Sequence, residues 1–373
     1  MYISLIIPVY NRPQETEELL ASLALQTRSD FEVVLVEDGS SPELSSEAVA
    51  DAYRNRLRIR YVWQPNGGPA AARNTGAAHA SGDFFIIMDS DCIVPPDYFA
   101  RVYAALAGGD IRFFGGPDSA GDDFSPLQKA VSYSMTSLFT TGGIRGNRRT
   151  VSKYSPRSFN LGIDRSLFEQ VGGFSDMRIG EDIDFSLRVM ATGVQAVFLP
   201  EAVVCHKRRT SLKLFFKQVF VFGTARVNLN IRHPRSRKAV YLLPALFTLG
   251  SAALTVAAIV WNPLLIVAFL AVVLLWRYGG VTTAGGAFLI LFVVLYGPWW
   301  YSVPFCALML LWLVDAARRN RSLYIGWLAV WTSFIQLYGY GLGFLYGTWQ
   351  RRIRRREEAY TYRVTKFFSQ KTR

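Results

Sequence analysis

Short runs rich in Val, Ile and Leu recur along the first two-thirds of the chain, separated by stretches with helical spacing of apolar positions. Tyr2–Tyr10, Phe31–Glu37, Ile59–Gln64 and Asp83–Met88 have the length and apolar content of buried strands. Between them, Pro13–Gln26 carries an early proline, then Glu15, Glu17 and Glu18, then Leu19, Leu20 and Leu23, a pattern that predicts a helix. Ser46–Arg56 and Ala70–Ala80 read as helices in the same way. Strand-helix-strand repetition predicts an α/β fold with a parallel sheet and helices on both faces. Ligands of such sheets bind beyond the carboxyl ends of the strands. A second stretch, 155–231, predicts a strand at Ser158–Ile163, a helix after Asp164 and a Gly-Gly turn at 172–173. A helix at Asp182–Thr192, a strand at Ala196–Leu199 and a long helix at Leu212–Asn230 follow.

The pattern changes after residue 238. Ala239–Trp261 is uncharged and long enough to cross a hydrocarbon core of ~30 Å. A shorter apolar run follows Pro263 and ends at Arg277, 278–314 is interrupted by Pro298 and Pro304, and 323–349 is again apolar. The expected division is a cytoplasmic α/β domain at 1–231, a membrane region of three to four hydrophobic helices at 232–349, and a basic cytoplasmic tail at 350–373. Basic residues favour the cytoplasmic side of a membrane. Applied to 232–238, Arg277, Arg318, Arg319, Arg321 and 351–356 together, that rule conflicts with a simple span at 323–349. Either 278–314 is a hairpin and 323–349 lies in the interface, or one basic cluster faces out.

The net charge of +13 is concentrated beside these apolar runs. That placement points to phospholipid headgroups, each Lys or Arg contributing about 1 kcal/mol near an anionic surface. No zinc-finger spacing or aromatic RNA-reading signature accompanies the charge, which argues against a nucleic-acid partner. Cys92, Cys205 and Cys306 are too few and too scattered for a disulfide framework or zinc site. The chain opens on its first strand without the pattern of a signal peptide, so the N-terminal domain is expected to stay in the cytoplasm.

Several polar motifs follow the strands. Pro8-Val9-Tyr10-Asn11 ends the first, and Glu37-Asp38-Gly39-Ser40 ends the second. Tyr10 can stack on a base and Asp38 can accept from a base N–H or ribose hydroxyl, although Asp-Gly-Ser also makes a plain turn. Asn66-Gly67-Gly68-Pro69 precedes the helix carrying Arg73 and Asn74. This is either a cap or a place where an anion meets free N–H groups and a permanent charge. Met88-Asp89-Ser90-Asp91 sets two carboxylates one residue apart after an apolar strand. The spacing suits Mg²⁺ or Mn²⁺ holding a diphosphate, against the alternative of a solvated turn. His206, after the apolar Ala202–Cys205, is either a further ligand or a structural histidine. Gly180-Glu181-Asp182-Ile183-Asp184 puts three carboxylates at a helix start. Acids there complement the helix dipole, yet three exceed what a cap needs. Asp182 is the candidate general base that deprotonates an acceptor hydroxyl, with Glu181 either shaping the site or contacting the acceptor.

Taken in order, these motifs together with Asn160, Gly172-Gly173-Phe174 and His206 resemble family 2 glycosyltransferases of the nucleotide-diphospho-sugar transferase (GT-A, Rossmann-like) fold, over about 1–231. The resemblance implies an inverting transfer from a nucleotide-sugar. Pro8, Tyr10, Asp38, Gly68, Arg73, Asp89, Ser90 and Asn160 would lie toward the donor, with Asp38 on the base, Arg73 near the nucleotide and Asn160 near the sugars. Asp89, Asp91 and His206 would lie at the metal and Asp182 would act as base. Gln336–Gly347, with Tyr338-Gly339-Tyr340-Gly341, resembles the membrane region of members that act on lipid acceptors. Processive synthases of the family carry Gln-x-x-Arg-Trp on a helix at the membrane. Here that helix reads Gln218-Val219-Phe220-Val221-Phe222, with Arg226 later, which favours adding one or a few sugars. The expected acceptor is a lipid-linked saccharide at a membrane, with Lys207, Arg208, Arg209 and Lys213 either drawing in its pyrophosphate or anchoring headgroups. Transfer to polyprenyl phosphate itself, processive polymerisation, and a non-enzymatic transporter or scaffold that senses nucleotide-sugar are the alternatives.

Overall fold

The computed structural model describes residues 1–119, 124–141, 154–263, 265–266 and 298–356. Most of the expected apolar run ending at Arg277, all of 278–297 and the tail beyond 356 lie outside these residues. The chain opens with β1 (Ile3–Val9), α1 (Pro13–Leu23), β2 (Phe31–Asp38), α2 (Glu47–Tyr53), β3 (Ile59–Gln64), α3 (Pro69–His79) and β4 (Phe84–Ile87). It continues with β5 (Cys92–Ile93), α4 (Tyr98–Ala107), β6 (Phe113–Gly115), β7 (Asp118–Ser119), α5 (Pro126–Thr136) and α6 (Leu138–Thr141). After these come β8 (Leu161–Asp164), α7 (Arg165–Gln170), α8 (Glu181–Ala191), β9 (Val197–Phe198), β10 (Val204–His206) and α9 (Leu212–Arg232). Three long helices close the described chain: α10 (Leu243–Trp261), α11 (Trp299–Asn320) and α12 (Leu323–Arg352).

Seven strands form one sheet in the order β3-β2-β1-β4-β8-β6-β9. The alternation of β1 divides its two faces. Leu5 and Ile7 pack with Leu19, Leu20 and Phe99 on one side, while Ile6 packs with Ala72, Leu167 and Phe185 on the other. The expected parallel sheet is present over four strands and becomes mixed beyond them. β3, β2, β1 and β4 are parallel, but β8 enters antiparallel to β4, with Leu161 opposite Ile87. The strand expected at Ser158–Ile163 is therefore shorter, and Arg157–Asn160 forms a turn beside the carboxyl end of β4. A second sheet, β5-β10-β7, pairs His206 with Cys92.

Pro304, expected to break an apolar run, instead sits inside α11. It is the sixth residue of the helix, so the Trp300 carbonyl loses the i→i−4 donor that another residue at 304 would supply. Three helical segments, Ala239–Trp261, Trp299–Asn320 and Leu323–Arg352, are long and apolar enough to cross a membrane. They differ in exposure, about a fifth of the first two being buried and half of the third. The cause is α12, which packs against the α/β domain along much of its length. Thr332 Oγ1 donates to the Ala130 carbonyl of α5 at 3.0 Å, and Thr224 Oγ1 of α9 donates to the Gly343 carbonyl at 3.0 Å. A Cβ on Gly343 would fall 1.9 Å from the Phe220 carbonyl oxygen, and one on Gly223 2.1 Å from that of Tyr340. Glycine at these positions allows the backbones of α9 and α12 to touch.

Candidate functional site

One cavity of about 2110 Å³ opens beyond the carboxyl ends of β1, β2 and β4 and continues between α9, α10 and α12. Single small-molecule sites occupy roughly 300–1,000 Å³, so there is room for two ligands together. Pro8, Tyr10, Asp38, Gly68, Arg73, Asp89, Ser90, Asp91, Glu181, Asp182 and His206 all line it. Asn160 does not, and its expected position near the sugars is corrected. Its side chain is fully buried, accepting from Tyr98 Oη and donating to the Ala202 carbonyl, both at 2.6 Å. Asn160 thus pins the turn that leads into β10.

The β5–β10 pairing brings His206 to Asp91. Nε2 lies 3.1 Å from Asp91 Oδ1, and Arg12 Nη1 donates to Asp91 Oδ2 at 2.8 Å. Burial works to raise the Asp91 carboxyl, but His206, Arg12 and Arg209 outweigh it and hold the group below the usual carboxylate range. For His206, burial works to lower the value, while Asp91 and then Asp118 raise it to about 9. Asp91 Oδ1 and His206 Nδ1 are buried with no hydrogen-bond partner among the described residues. The Asp91, Cys92 and His206 ligand atoms lie within 4.8 Å of one another. A carboxylate and an imidazole in contact at 3.1 Å, without a well-formed hydrogen bond between them, fit a divalent cation such as Mn²⁺. Mg²⁺ prefers oxygen throughout. Burial pushes the Cys92 thiol well above its ordinary value, so it stays protonated and offers such an ion little.

Asp89 faces another partner. Arg73 reaches Asp89 at 2.8 Å with Nη2 and Glu181 at 2.7 Å with Nη1, and Nη2 also donates to Ser158 at 3.0 Å. Its guanidinium lies 5.3 Å from the Phe174 ring centroid. Arg73, expected near the nucleotide, is only 3% exposed and clamps two distant acidic motifs together.

The three acids of α8 diverge. Gly180, at φ +82, turns the chain into the helix through a conformation that disfavours other residues. Glu181 then points to Arg73, and its carboxyl is raised by burial against the pull of that arginine. Asp182 faces the cavity, with Oδ2 3.6 Å from Arg157 Nη1. Asp184 turns inward, meeting Ser175 at 2.7 Å, His233 at 2.8 Å and Arg188 at 2.9 Å.

Asp38 and Gly68 also interact differently from expectation. Asp38 Oδ1 accepts from Gly67 N at 2.8 Å and Gln64 Nε2 at 2.6 Å, and Oδ2 accepts from Gly68 N at 2.9 Å. The anion met by these loop N–H groups is thus Asp38 itself, which leaves it little capacity to accept from a base. Among the basic residues after His206, Lys207 pairs with Glu18 and buried Arg208 with Asp118. Of the four named basic residues, only Arg209 lines the cavity. Arg12, Arg157 and Asp118 escaped sequence reading. The one available signal was Arg12, placed directly after a strand-end Asn11 whose φ is +53.

Residues 4–172 match the family model of glycosyl transferase family 2. The chain is 29% identical over 216 residues to an uncharacterized glycosyltransferase, EpsJ, of Bacillus subtilis (strain 168), covering 55% of this chain and 60% of that protein. It is 34% identical over 125 residues to the succinoglycan biosynthesis protein ExoW of Rhizobium meliloti (strain 1021), covering 33% of this chain and 39% of that one. The chain thus spans three-fifths or less of either relative. The mannosyltransferase PcManGT from Pyrobaculum calidifontis, solved in complex with GDP-Man and Mn²⁺, shares the fold at a TM-score of 0.51 and 18% identity, over 89% of this chain and 86% of that one. Residues 4–172, which the family model matches, thus form a glycosyl transferase family 2 domain, and the mixed α/β sheet followed by long apolar helices is of the GT-A type.

Proposed function

We propose that the protein transfers a sugar, with inversion, from a nucleotide-diphospho-sugar to a membrane-associated, lipid-linked acceptor in the synthesis of a cell-surface polysaccharide or glycolipid. The carrying observation is the single cavity that Asp91, His206 and Asp182 line together and that continues between α9, α10 and α12. A reaction joining a polar donor to a lipid-borne acceptor needs such a passage.

In this reading, Asp91 and His206, with Asp89 beside them, would hold Mn²⁺ or Mg²⁺, which when bound neutralises charge on the departing diphosphate. Pro8, Tyr10 and Ser90 line the donor end, and Asp38 acts at one remove by holding the Asn66–Gly68 loop. Asp182 takes the proton from the acceptor hydroxyl as that oxygen attacks the anomeric carbon. Arg157, 3.6 Å away, orients the carboxylate. Glu181 and Arg73 fix the start of α8, and with it the position of Asp182. A succinoglycan biosynthesis protein among the relatives supports the polysaccharide assignment.

Side-chain pairing supports a membrane arrangement. Thr255 meets Tyr301 and Phe247 meets Phe305, so α10 and α11 run antiparallel. Lys238 and Arg318–Arg321 then lie at the same end, on the side of the α/β domain. α12 is half-buried against α5 and α9, which favours its lying along the interface, with 351–356 also on that side. This supports a cytoplasmic domain at 1–231, a membrane region at 232–349 and a basic tail at 350–373.

Asp182→Asn in the full chain, reconstituted in vesicles with a radiolabelled donor, tests the base. Asparagine retains an acceptor for the Ile183 N–H, now bonded at 2.8 Å, so the helix start should persist. General bases contribute about 10²–10⁴-fold, and a loss of that size is expected with donor binding near normal. A loss of tenfold or less, about 1.4 kcal/mol of barrier, sinks the assignment. It would instead favour an acceptor that is already anionic, such as polyprenyl phosphate.

A further inference from the structure

The membrane end of the cavity contains a cation that the reaction just described does not use. Arg226, on α9, is 7% exposed and lines the cavity. Its guanidinium lies 4.0 Å from the Tyr241 ring centroid, just before α10, and beside the Tyr340 hydroxyl of α12. Among the described residues, no carboxylate forms an ion pair with it. Arg73 and Arg208, comparably buried, each have one. A buried charge without a counter-charge is costly unless something arriving later supplies it. The Tyr241 face satisfies one side of the guanidinium. Its N–H donors lie in the plane and match a phosphate in paired fashion.

Two features define what the phosphate is attached to. Beyond Tyr241 the cavity wall is apolar, formed by Leu243, Leu246 and Phe247 of α10 and Leu337 of α12. In the other direction, Arg157 stands 3.6 Å from Asp182 and is close enough to act electrostatically on Tyr340. A ligand seated on Arg226 would have its polar part toward Asp182 and its apolar part along α10.

We propose that Arg226, with Tyr241 and Tyr340, is a subsite for a phosphate ester carried on an apolar chain. This rests on the transferase reading and identifies the acceptor's anchoring group. The same chemistry is offered by a lipid-linked acceptor and by a membrane phospholipid, and the subsite belongs to the acceptor.

The test is binding to the full chain in nanodiscs of phosphatidylcholine, with farnesyl phosphate as probe and phosphatidic acid as competitor. UDP and GDP with Mn²⁺ are titrated in parallel. Hydrogen bonds to charged groups are worth a factor of about ten or more, so Arg226→Gln should weaken farnesyl phosphate at least tenfold. Nucleotide affinity should stay within about twofold, and phosphatidic acid should not displace the probe. Arg226→Lys, which keeps the charge but loses the planar fork, should lose about fivefold and carries the test should the glutamine variant unfold. Unchanged farnesyl phosphate binding in a folded variant overturns the subsite. Displacement by phosphatidic acid overturns the acceptor assignment in favour of a phospholipid. Loss of nucleotide binding by a folded Arg226→Gln variant moves the residue to the donor site and overturns the proposal as well. Wild-type protein that binds neither nucleotide with Mn²⁺ would instead count against the transferase reading itself.

Discussion

Arg73 offers the most demanding check on the site's electrostatics, because one side chain holds two acidic motifs separated by 92 positions along the chain, Asp89 and Glu181. Replacing it with Met retains much of the buried volume and removes the charge. Asp89 and Glu181 are then left without their shared cation, and Glu181 is already raised by burial. Breaking a buried ion pair from one side costs about 3–5 kcal/mol. For a domain of this size each kcal/mol lowers the melting temperature by about 2–4 °C, which predicts a drop of roughly 6–20 °C. The pH dependence has a definite sign. A carboxyl whose folded value lies above its unfolded one destabilises the native state as pH rises and it ionises. The deficit of Arg73→Met against wild type should therefore be largest at neutral pH and shrink toward about pH 4, where unfolded glutamates take up protons. Adding Glu181→Gln to Arg73→Met removes one stranded charge and should recover part of the loss. Differential scanning fluorimetry of the full chain in detergent, between pH 4.5 and 8, reads all three effects. A melting temperature within 2 °C of wild type at pH 7.5, or a double variant no more stable than the single one, refutes the reasoning.

Other positions give sharper, narrower readouts. Asp91→Asn and His206→Ala should each weaken Mn²⁺ binding at least tenfold by calorimetry, since each removes one of a small set of ligands. Equal affinity in either variant would move the metal elsewhere. Burial works to raise Asp184, but His233, Ser175 and Arg188 outweigh it and hold the carboxyl below its usual range. Its stabilising effect is thus present above pH ~4 and is lost as pH falls through its folded value, so Asp184→Asn should cost about 3 kcal/mol at pH 7 and progressively less in acid. Gly343→Val should destabilise by 1–3 kcal/mol or more through contact with Phe220. Gly250→Ala, on α10 where a Cβ meets nothing within 4 Å, should be neutral or slightly stabilising and serves as the matched control.

The parts of the site legible in the sequence share one physical feature. Tyr10, Asp38 and Asp89 follow apolar strands that run parallel, and polar residues after a buried strand must do something to justify their position. The parts that escaped lie where that rule gives no signal. Leu161-Gly162-Ile163 is apolar whichever way it runs, so nothing in it announced that β8 enters antiparallel and delivers Arg157 to the cavity. β5 and β10 are two and three residues long, below the length at which alternation can be read, and their pairing is what brings His206 to Asp91. Asn160 and Asp38 were recognised as important polar positions, but motif order cannot distinguish a side chain that meets a ligand from one that holds the loop beside it. Residues 126–141 showed no motif because α5 is amphipathic in the ordinary way. Its partner is α12, about 200 positions on, through Ala130–Thr332.

That last contact bears on how the α/β domain is joined to the long apolar helices. An isolated apolar span contributes anchoring, and anchoring alone would leave the cavity facing water. Here α12 carries Thr332, Ser333 and Gln336 buried among apolar neighbours, and glycines at 339, 343 and 347 where α9 approaches. Polar and glycine positions of this kind serve close backbone packing, and their contacts with α5 and α9 commit α12 to the domain. The domain-proximal end of α10 is held in turn by α12, where a Cβ on Gly341 would fall 2.4 Å from the Pro244 carbonyl oxygen. The cavity wall therefore passes from strand ends to long apolar helices. In the proposed reaction, a lipid-borne acceptor would reach Asp182 without its chain crossing water, and the glycine stripe is the sequence feature behind this continuity.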